Sequence, residues 1–367
     1  MKEKKENDLN SLRLQIDGID AKILDLINHR LEIGKQVGNI KKETGAKILD
    51  KSRESKVIKN LLEMNRGPAT KELLQYIFNV IITATREIQR PRTVSFLGPQ
   101  ASYTHIAALR HFNHFGDFLE QPNLYEVFRQ VDRNESHFGV VPIENSTEGA
   151  VNHTLDLFTE FNLNICAEHY ERISHDLISL TGDAADVKTI ISHPQPIAQC
   201  RTWIRNRFGN VKMIETSSSS KAAMMASEDK SIAAIASRQA AHLYGLLTIE
   251  SKIEDQSGNI TRFLVIGKDR PTPTGNDRTS IMFATPHLPG SLFKALEPID
   301  RAGLNMLKLE SRPKRHQNWS YYFFVDIAGH HTEDTVSQTI EEVRAHALSL
   351  KILGSYPVAE KREANHD

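Results

Sequence analysis

The sequence places a guanidinium where an apolar side chain is due. Apolar residues recur at Leu9, Leu12, Ile16, Ile19, Ile23, Leu26, Ile33, Val37 and Ile40. Steps of three and four mark the seam of a long helix packed on another helix. The slot after Leu26 holds Arg30. A lone Arg there snorkels outward or pairs with Asp25 or Glu32. Further cations change the case. Lys41 follows Arg30 by eleven residues, about three turns, and falls near the same face. Arg13 precedes it by seventeen, where an antiparallel partner rod would bring it alongside. Arg53 and Glu54 open the next helix beside Asp50, and on a third helix Thr85 and Gln89 stand four apart on one face. A buried cation without an anion costs on the order of several kcal/mol. Asp50 and Glu54 are too few for Arg13, Arg30, Lys41 and Arg53, so a small dicarboxylate ligand would balance the set.

A second group of residues suits anions differently. Four strand-to-helix junctions carry hydroxyls and amides: GPQASYTH (98–105), PIENSTEG (142–149), SHPQPIAQC (192–200) and TSSSSKAA (216–223). Helix N-termini offer free N–H groups and a positive dipole end. Any one junction alone is a plain cap. Four in one α/β region imply a cleft for a small anion at strand carboxyl ends. His111 and His114 share a helix face without a third ligand, and H-E-x-x-H is absent, so no metal site is expected.

These residues need three kinds of scaffold. Residues 8–90 are helical in pattern, with breaks at ETGAK and NRGP. A first helix over 9–42 would be about 50 Å long, too long for one small domain to cover, so dimerisation is expected. From Thr93, β-branched runs (TVSFLG, FGVVPIEN, LNICAEHY, DLISLTG, TIISHP, VKMIET, SIAAIAS, TRFLVIG) alternate with helical stretches, the rhythm of an α/β domain. KDRPTPTGNDR reads as a linker, and residues 279–356 follow a βαββαβ order, a ferredoxin-like unit. The domains are therefore set at 1–91, 92–270 and 278–356. The 367 residues carry 46 Lys plus Arg against 46 Asp plus Glu, which opposes a general nucleic-acid binder. No apolar run approaches the roughly 20 residues of a membrane span, and MKEKKENDLNS has no secretory core. Two cysteines without a C-x-x-C pair fit a reducing cytoplasm.

The pattern Arg13, Arg30, Lys41, LDKSRE (49–54) and Gln89 resembles the all-helical chorismate mutase family, across the whole first region. The resemblance implies an intertwined helical dimer and a pericyclic rearrangement of chorismate to prephenate, which needs no metal or cofactor. It needs a dianion held compactly and donors aimed at the ether oxygen. Arg13 of a partner chain and Arg30 would grip carboxylates, and Lys41 and Gln89 would face the ether oxygen. Glu54 would accept the ring hydroxyl, with Asp50 and Arg53 alongside. Thr85 stands where family members often have Ser.

PIEN, SHPQP with QC after it, and NITRF (259–263) resemble prephenate dehydratase over about 93–267. That implies two α/β lobes similar to periplasmic binding proteins, with substrate between them, and conversion of prephenate to phenylpyruvate. Thr261 would donate to the departing hydroxyl, with Arg262 and Phe263 shaping the pocket. Asn145, Ser146, Ser192, His193 and Gln199 would orient substrate, His193 having a structural role as its equal alternative. Ser102 would bind substrate from GPQASYTH, where Ala101 and Thr104 replace the Gly and Ser of the family pattern.

The last region resembles an ACT domain. ESRP is intact at Glu310–Pro313, while Gly290-Ser291-Leu292-Phe293 departs twice from a GALV-like motif. The resemblance implies phenylalanine as effector between paired domains, near Gly290, Ser291, Leu292, Leu304, Asn305, Glu310, Ser311 and Arg312, with Phe293 crowding that pocket. Together these point to both reactions in one cytoplasmic homodimer or higher oligomer, feedback-inhibited by phenylalanine. The alternative is a non-catalytic amino-acid or dicarboxylate sensor on a helical dimeriser. A fusion to a dehydrogenase is opposed by the absence of G-x-G-x-x-G.

Overall fold

The computed structural model describes residues 2–44, 51–89, 91–313 and 321–359, and for 2–8, 42–43 and 51–55 the backbone alone. The chain divides into two compact units at Arg92–Thr93, with residues 115–117 grouped with the first.

The first unit is three helices: α1 (Lys2–Thr44), α2 (Lys51–Met64) and α3 (Lys71–Gln89). At 43 residues, α1 extends the expected helix at both ends and spans about 64 Å. Two glycines four residues apart decide where α3 lies. A Cβ at Gly34 would enter the Thr85 side chain, and one at Gly38 would stand 2.9 Å from the Gln89 Cα. Only glycine lets the two backbones approach this closely. From Leu9 to Leu26 the seam has no cover among the described residues: Leu12 is 56% exposed and Leu26 68%.

The second unit begins with a lobe built of β1 (Thr93–Leu97), α4 (Tyr103–His111), β2 (Asp117–Gln121), α5 (Leu124–Asp132), β3 (Phe138–Asn145), β4 (Gly149–Ala150), α6 (Asn152–Glu160) and β5 (Asn164–Arg172). The chain then crosses to a second lobe: β6 (Asp176–Ser179), β7 (Thr189–Ser192), α7 (Pro194–Gln199), α8 (Arg201–Phe208), β8 (Lys212–Glu215), α9 (Ser219–Ala226), β9 (Ile232–Ala236), α10 (Arg238–Tyr244) and β10 (Leu247–Glu250). It returns as β11 (Ile260–Gly267), which slots between β3 and β5, antiparallel to both. The sheet orders are β2-β1-β3-β11-β5, with β4 beside β3, and β10-β6-β9-β7-β8. Each of the eight anticipated β runs is a strand. The edge strands β2 and β10 carry no such run.

The remaining elements are β12 (Asp277–Ala284), α11 (Ser291–Arg301), β13 (Met306–Pro313), β14 (Tyr321–Ala328), α12 (Asp334–Ala345) and β15 (Ser349–Pro357). They form an antiparallel sheet in the order β13-β14-β12-β15. One face packs on α11 and α12 through Ile281, Phe283, Ile299, Val325 and Ile340. The other sends Met282, Phe324, Leu353 and Tyr356 into the core of the first lobe, beside Phe128, Phe158, Leu264 and Ile266. The segment expected as a linker is therefore no loose tether. Asp277 gathers it by accepting from Thr274 N (2.7 Å), Thr274 Oγ1 (2.8 Å) and Gly275 N (3.0 Å). Where β15 meets β5, a Cβ on Gly354 would collide with the Ile165 carbonyl. Gly354→Ala should cost roughly 1–3 kcal/mol through overpacking. Chemical denaturation of the full chain checks this, with the loss confined to the second unit's transition.

Candidate active sites

In the first unit, Arg30 emerges from α1 where α3 passes closest. Its Nη1 donates to the Ile81 carbonyl (3.3 Å) and to Thr85 Oγ1, which in turn donates to the same carbonyl (2.8 Å). The guanidinium is half-buried, and burial lowers its pKa from the ordinary arginine value. No carboxylate among the described residues pairs with it. The buried acid of this unit, Glu87, is held by Arg92 (2.5 Å) and Arg86 (3.8 Å), and burial raises its pKa against those two cations. Thr85 and Gln89 sit over Gly34 and Gly38, so the two glycines set the distance from α3's polar face to α1. Lys41 is partly exposed at the same end of α1. Arg13 lies on the uncovered half, seventeen residues or about 25 Å from Arg30 along the axis, beyond reach within one chain. Asp50 and the side chains of Arg53 and Glu54 lie outside the described residues.

In the second unit, the PIEN and NITRF segments meet across the pairing of β3 with β11, where Asn145 is opposite Thr261. Asn145 Nδ2 donates to Thr261 Oγ1 and to Asn259 Oδ1, both at 2.8 Å. Its Oδ1 accepts from Thr147 N (2.9 Å) and Glu148 N (3.2 Å). The Asn145 amide thus has its orientation fixed by four bonds. Thr261 Oγ1 accepts from Asn145, and no acceptor among the described residues takes its own proton. Ser146 Oγ reaches Asn259 Oδ1 (3.4 Å) and accepts from Ile260 N (3.0 Å). Asn259, not singled out within NITRF from the sequence, completes the cluster, and its Nδ2 is buried without a partner.

The segments crossing between the lobes pair through Ile173 N and Asn259 O (2.8 Å). Beside this crossing, His175 Nε2 and Gln199 Oε1 share a 2.8 Å bond, which leaves the Gln199 amide nitrogen available. His175 is buried, its Nδ1 has no partner, and burial lowers its pKa against the contributions of Gln199, Glu254 and Asp176. The sequence flagged Gln199 but not its support.

Other residues assigned to substrate are engaged locally. Ser192 Oγ is buried and donates to Ile235 O (2.6 Å). His193 caps α7, its Nδ1 accepting from Gln195 N (3.4 Å). Ser102 caps α4, accepting from His105 N (3.3 Å) and donating to Leu97 O (3.1 Å). Ala101, replacing the family's Gly, has φ +60°, a conformation that favours glycine and strains alanine. Its carbonyl and that of Gln100 accept from Ser237 (3.1 Å) and Ser220 (2.5 Å) of the second lobe. Phe263 is a core residue among Phe96, Ala107 and Val265. Arg262 does not border the Thr261 cluster. It projects from the opposite face of β11, because neighbours on a strand alternate, and meets Glu168, Asp326 and Tyr356.

In the C-terminal sheet, a cavity of about 360 Å³ is lined by Thr285, His287, Ser291, Leu292, Tyr321 and Phe323, among others. Gly290 caps α11 at its edge with φ +79°, and Ser311 sits opposite Phe323 on β14. Leu304 and Asn305 lie past the other end of α11, so one chain does not unite them with the cavity. Arg312 of the intact ESRP forms a fork on Asp156 of α6 (3.0 and 3.1 Å) rather than facing the cavity, while its neighbour Glu310 is partly buried on β13. Phe293 is 69% exposed and does not line this cavity of the single chain. No helix among the described residues is long and apolar enough to cross a membrane.

These geometries describe a helical unit with a half-buried arginine between two helices and a two-lobed α/β unit with an amide-and-hydroxyl site. Residues 12–90 match the family described as chorismate mutase type II, and residues 94–271 the family described as prephenate dehydratase. A bifunctional chorismate mutase/prephenate dehydratase from Stutzerimonas stutzeri is 40% identical, over 96% of this chain and 98% of its own. Among solved structures, the prephenate dehydratase of Arthrobacter aurescens in complex with L-Phe is 30% identical with a TM-score of 0.68, over 74% of this chain and 92% of that one. GqqA, titled a novel type of quorum quenching acylase, is 28% identical with a TM-score of 0.68, over 74% of this chain and 99% of its own. The chain belongs to the bifunctional chorismate mutase/prephenate dehydratase family. It converts chorismate to prephenate and prephenate to phenylpyruvate in phenylalanine biosynthesis.

Burial also lowers the pKa of His105, aided by His114. The unfolded chain therefore takes up these protons first as pH falls through the ordinary value of 6.5. The sign follows: stability is level above that pH and declines below it. Thermal midpoints from pH 8 to 5 should fall from about 6.5 downward, and less steeply in His175→Gln.

Proposed function

We propose that the two reactions run at separate sites, with the residues acting as follows. In the mutase crevice Arg30 and Arg13 of a second copy hold the two carboxylates of chorismate. Lys41 and Gln89 donate to the ether oxygen, where negative charge grows as the bond breaks. Asp50, Arg53 and Glu54 close the site around the ring hydroxyl. The observation that carries this reading is the unbalanced Arg30: a half-buried guanidinium held by a carbonyl and a hydroxyl, with no acid on it among the described residues. The bare seam from Leu9 to Leu26 supports an antiparallel helical dimer, since contiguous apolar surface of this extent marks an interface.

In the dehydratase site the electron pair of the breaking carbon–carboxylate bond moves into the ring and expels the ring hydroxyl. Carbon dioxide and water leave. Thr261 donates a hydrogen bond to the departing oxygen and relays a proton, being itself too weak an acid to supply one at neutral pH. Asn145 donates to Thr261 Oγ1 and so turns the hydroxyl proton away from itself. The Gln199 amide nitrogen, freed by His175, orients a carboxylate. Ser192, Ser102 and His193 support the loops rather than touching substrate.

The βαββαβ domain is read as an ACT domain with phenylalanine as effector. Its cavity beside Gly290, Ser291, Leu292 and Ser311 admits a side chain of that size. A second copy would bring Leu304 and Asn305 to it, and the exposed Leu307 and Leu309 on edge strand β13 suit such pairing.

Assays on the full chain test the separation of sites. Arg30→Ala should lower chorismate turnover by about a hundredfold or more while supplied prephenate is still consumed at the unmodified rate. Thr261→Val should do the reverse; joint loss in either variant would sink the two-site assignment. Added phenylalanine should depress the dehydratase rate and leave the mutase rate nearly unchanged. Calorimetry showing no heat of phenylalanine binding would remove it as the effector.

A further inference from the structure

Thr261 and Arg262 are consecutive on β11, and the pleat sends them to opposite faces of the sheet. Thr261 belongs to the cluster with Asn145 and Asn259. Arg262 enters the layer between the first lobe's sheet and the C-terminal sheet, where its side chain is 5% exposed. Its Nε donates to Glu168 on β5 (2.8 Å), its Nη1 to Asp326 on β14 (2.7 Å), and its Nη2 to the Tyr356 hydroxyl on β15 (2.9 Å). Ser280 of β12 completes the ring, donating to Asp326 (2.5 Å) and sharing a 2.7 Å bond with Tyr356. Arg278 supplies the second cation, 3.0 Å from Glu168 and 3.7 Å from Asp326. Two guanidiniums thus face two buried carboxylates. Desolvation works against the charge on Arg262, yet Tyr356, Asp326 and Glu168 more than offset it, and its pKa is raised.

The backbone is irregular at this point. The step from Arg262 to Phe263 carries a register shift against β3, with Ile143 as the extra residue. The extra residue lies on β3, where a bulge bends that strand. Thr261 itself keeps its pairing with Asn145 and with Glu171 of β5, so the irregularity falls just past the residue whose side chain crosses to the C-terminal sheet.

We propose that Arg262 is a positioning residue for the dehydratase step: by tying β11 to the C-terminal sheet, it sets where the Thr261 hydroxyl stands. The inference rests on Thr261 being the donor to the departing hydroxyl. It makes the C-terminal domain part of the catalytic geometry, so that a displacement of β14 or β15 reaches Thr261 through one side chain.

Three variants of the full chain test it. Asp326→Asn removes one charge of the clamp. Asp326→Glu restores the charge with one more methylene, next to a cavity of about 20 Å³ lined by Arg262, Ser280, Lys308 and Asp326. Tyr356→Phe removes one hydroxyl and no charge, and carries the test should Asp326→Asn not fold. Asp326→Asn should lower kcat on prephenate about tenfold or more with KM within about twofold, because a small misplacement of a reacting group acts on the chemical step. Tyr356→Phe should lower kcat severalfold, and Asp326→Glu should recover most of the Asp326→Asn loss. An unchanged kcat in Asp326→Asn and Tyr356→Phe, a loss seen only in KM, or equal losses in Asp326→Asn and Asp326→Glu would overturn the clamp. Thr261→Val is measured alongside. If it is inactive while Asp326→Asn is normal, the clamp alone has failed. If Thr261→Val turns over prephenate normally, the assignment of Thr261 has failed, and the route through it falls as well.

Discussion

The second unit depends on one constraint: β11 is paired on both edges and covered on both faces. Its edges are taken by β3 and β5. One face, through Phe263 and Val265, packs with Ala107 and Ala108 of α4. The other, through Leu264 and Ile266, lies in the core shared with Met282, Phe324 and Leu353 of the C-terminal sheet. A strand so enclosed has little freedom to shift, and its side chains are fixed by parity. The site residue Thr261 and the tie Arg262 follow from that enclosure. So does the absence of a loose hinge to the C-terminal domain: two sheets that share an apolar core cannot part without exposing it, at roughly 25 cal/mol per Å².

The two arginines that matter most show how context decides the meaning of a buried charge. Arg262 is nearly sealed from water and meets two carboxylates and a phenol. Removing one partner of such a set is costly, because it leaves charge uncompensated. Arg30 is only half-buried and meets a carbonyl and a hydroxyl, groups that orient a guanidinium without neutralising it. The set around Arg262 is completed from within, whereas that around Arg30 is not, and the proposed reading completes it with a ligand. The same test separates Ser192, whose hydroxyl is already donated to Ile235 O, from Thr261, whose hydroxyl only accepts.

Much of this was legible in the sequence where periodicity is strong. Seven of the eight β-branched runs carry buried residues, and buried faces carry pattern. β8 is exposed throughout and is legible only by its β-branched composition, while the α1 seam carries the pattern of a face left open among the described residues. The edge strands β2 and β10 are mostly exposed, so no burial imposes alternation on DFLEQ or LTIE. The close approach at Gly34 and Gly38 comes from the structure, and nothing local in the sequence says that Thr85 and Gln89 fill the space. The candidate site divides the same way. Asn145 and Thr261 could be named from their motifs; their pairing depends on strand register, which the loops between them do not encode. The resemblance of NITRF to the family pattern puts Arg262 in the pocket with Thr261. Strand parity alone sends it to the far face, and only the tertiary fold supplies Glu168, Asp326 and Tyr356 there. His175 lacked any signal, because its role arises from the crossing between lobes.

The chemistry of the two steps explains why their sites differ in kind. Rearrangement of chorismate asks for no proton transfer, only a compactly bound dianion and fixed donors. The helical unit offers an arginine with no acid on it among the described residues, beside two glycines that bring α3 against α1. Loss of carbon dioxide and hydroxide from prephenate is driven by aromatisation, but the departing oxygen must be met by a donor at one position. A hydroxyl with a single rotatable proton meets that need only if its acceptor side is already engaged. Asn145 does that from β3, and its own amide is fixed by the turn at Thr147 and Glu148. On the proposed reading the donor is placed by its strand, and Arg262 ties that strand to Asp326 and Tyr356 of the C-terminal sheet as well as to Glu168 of β5.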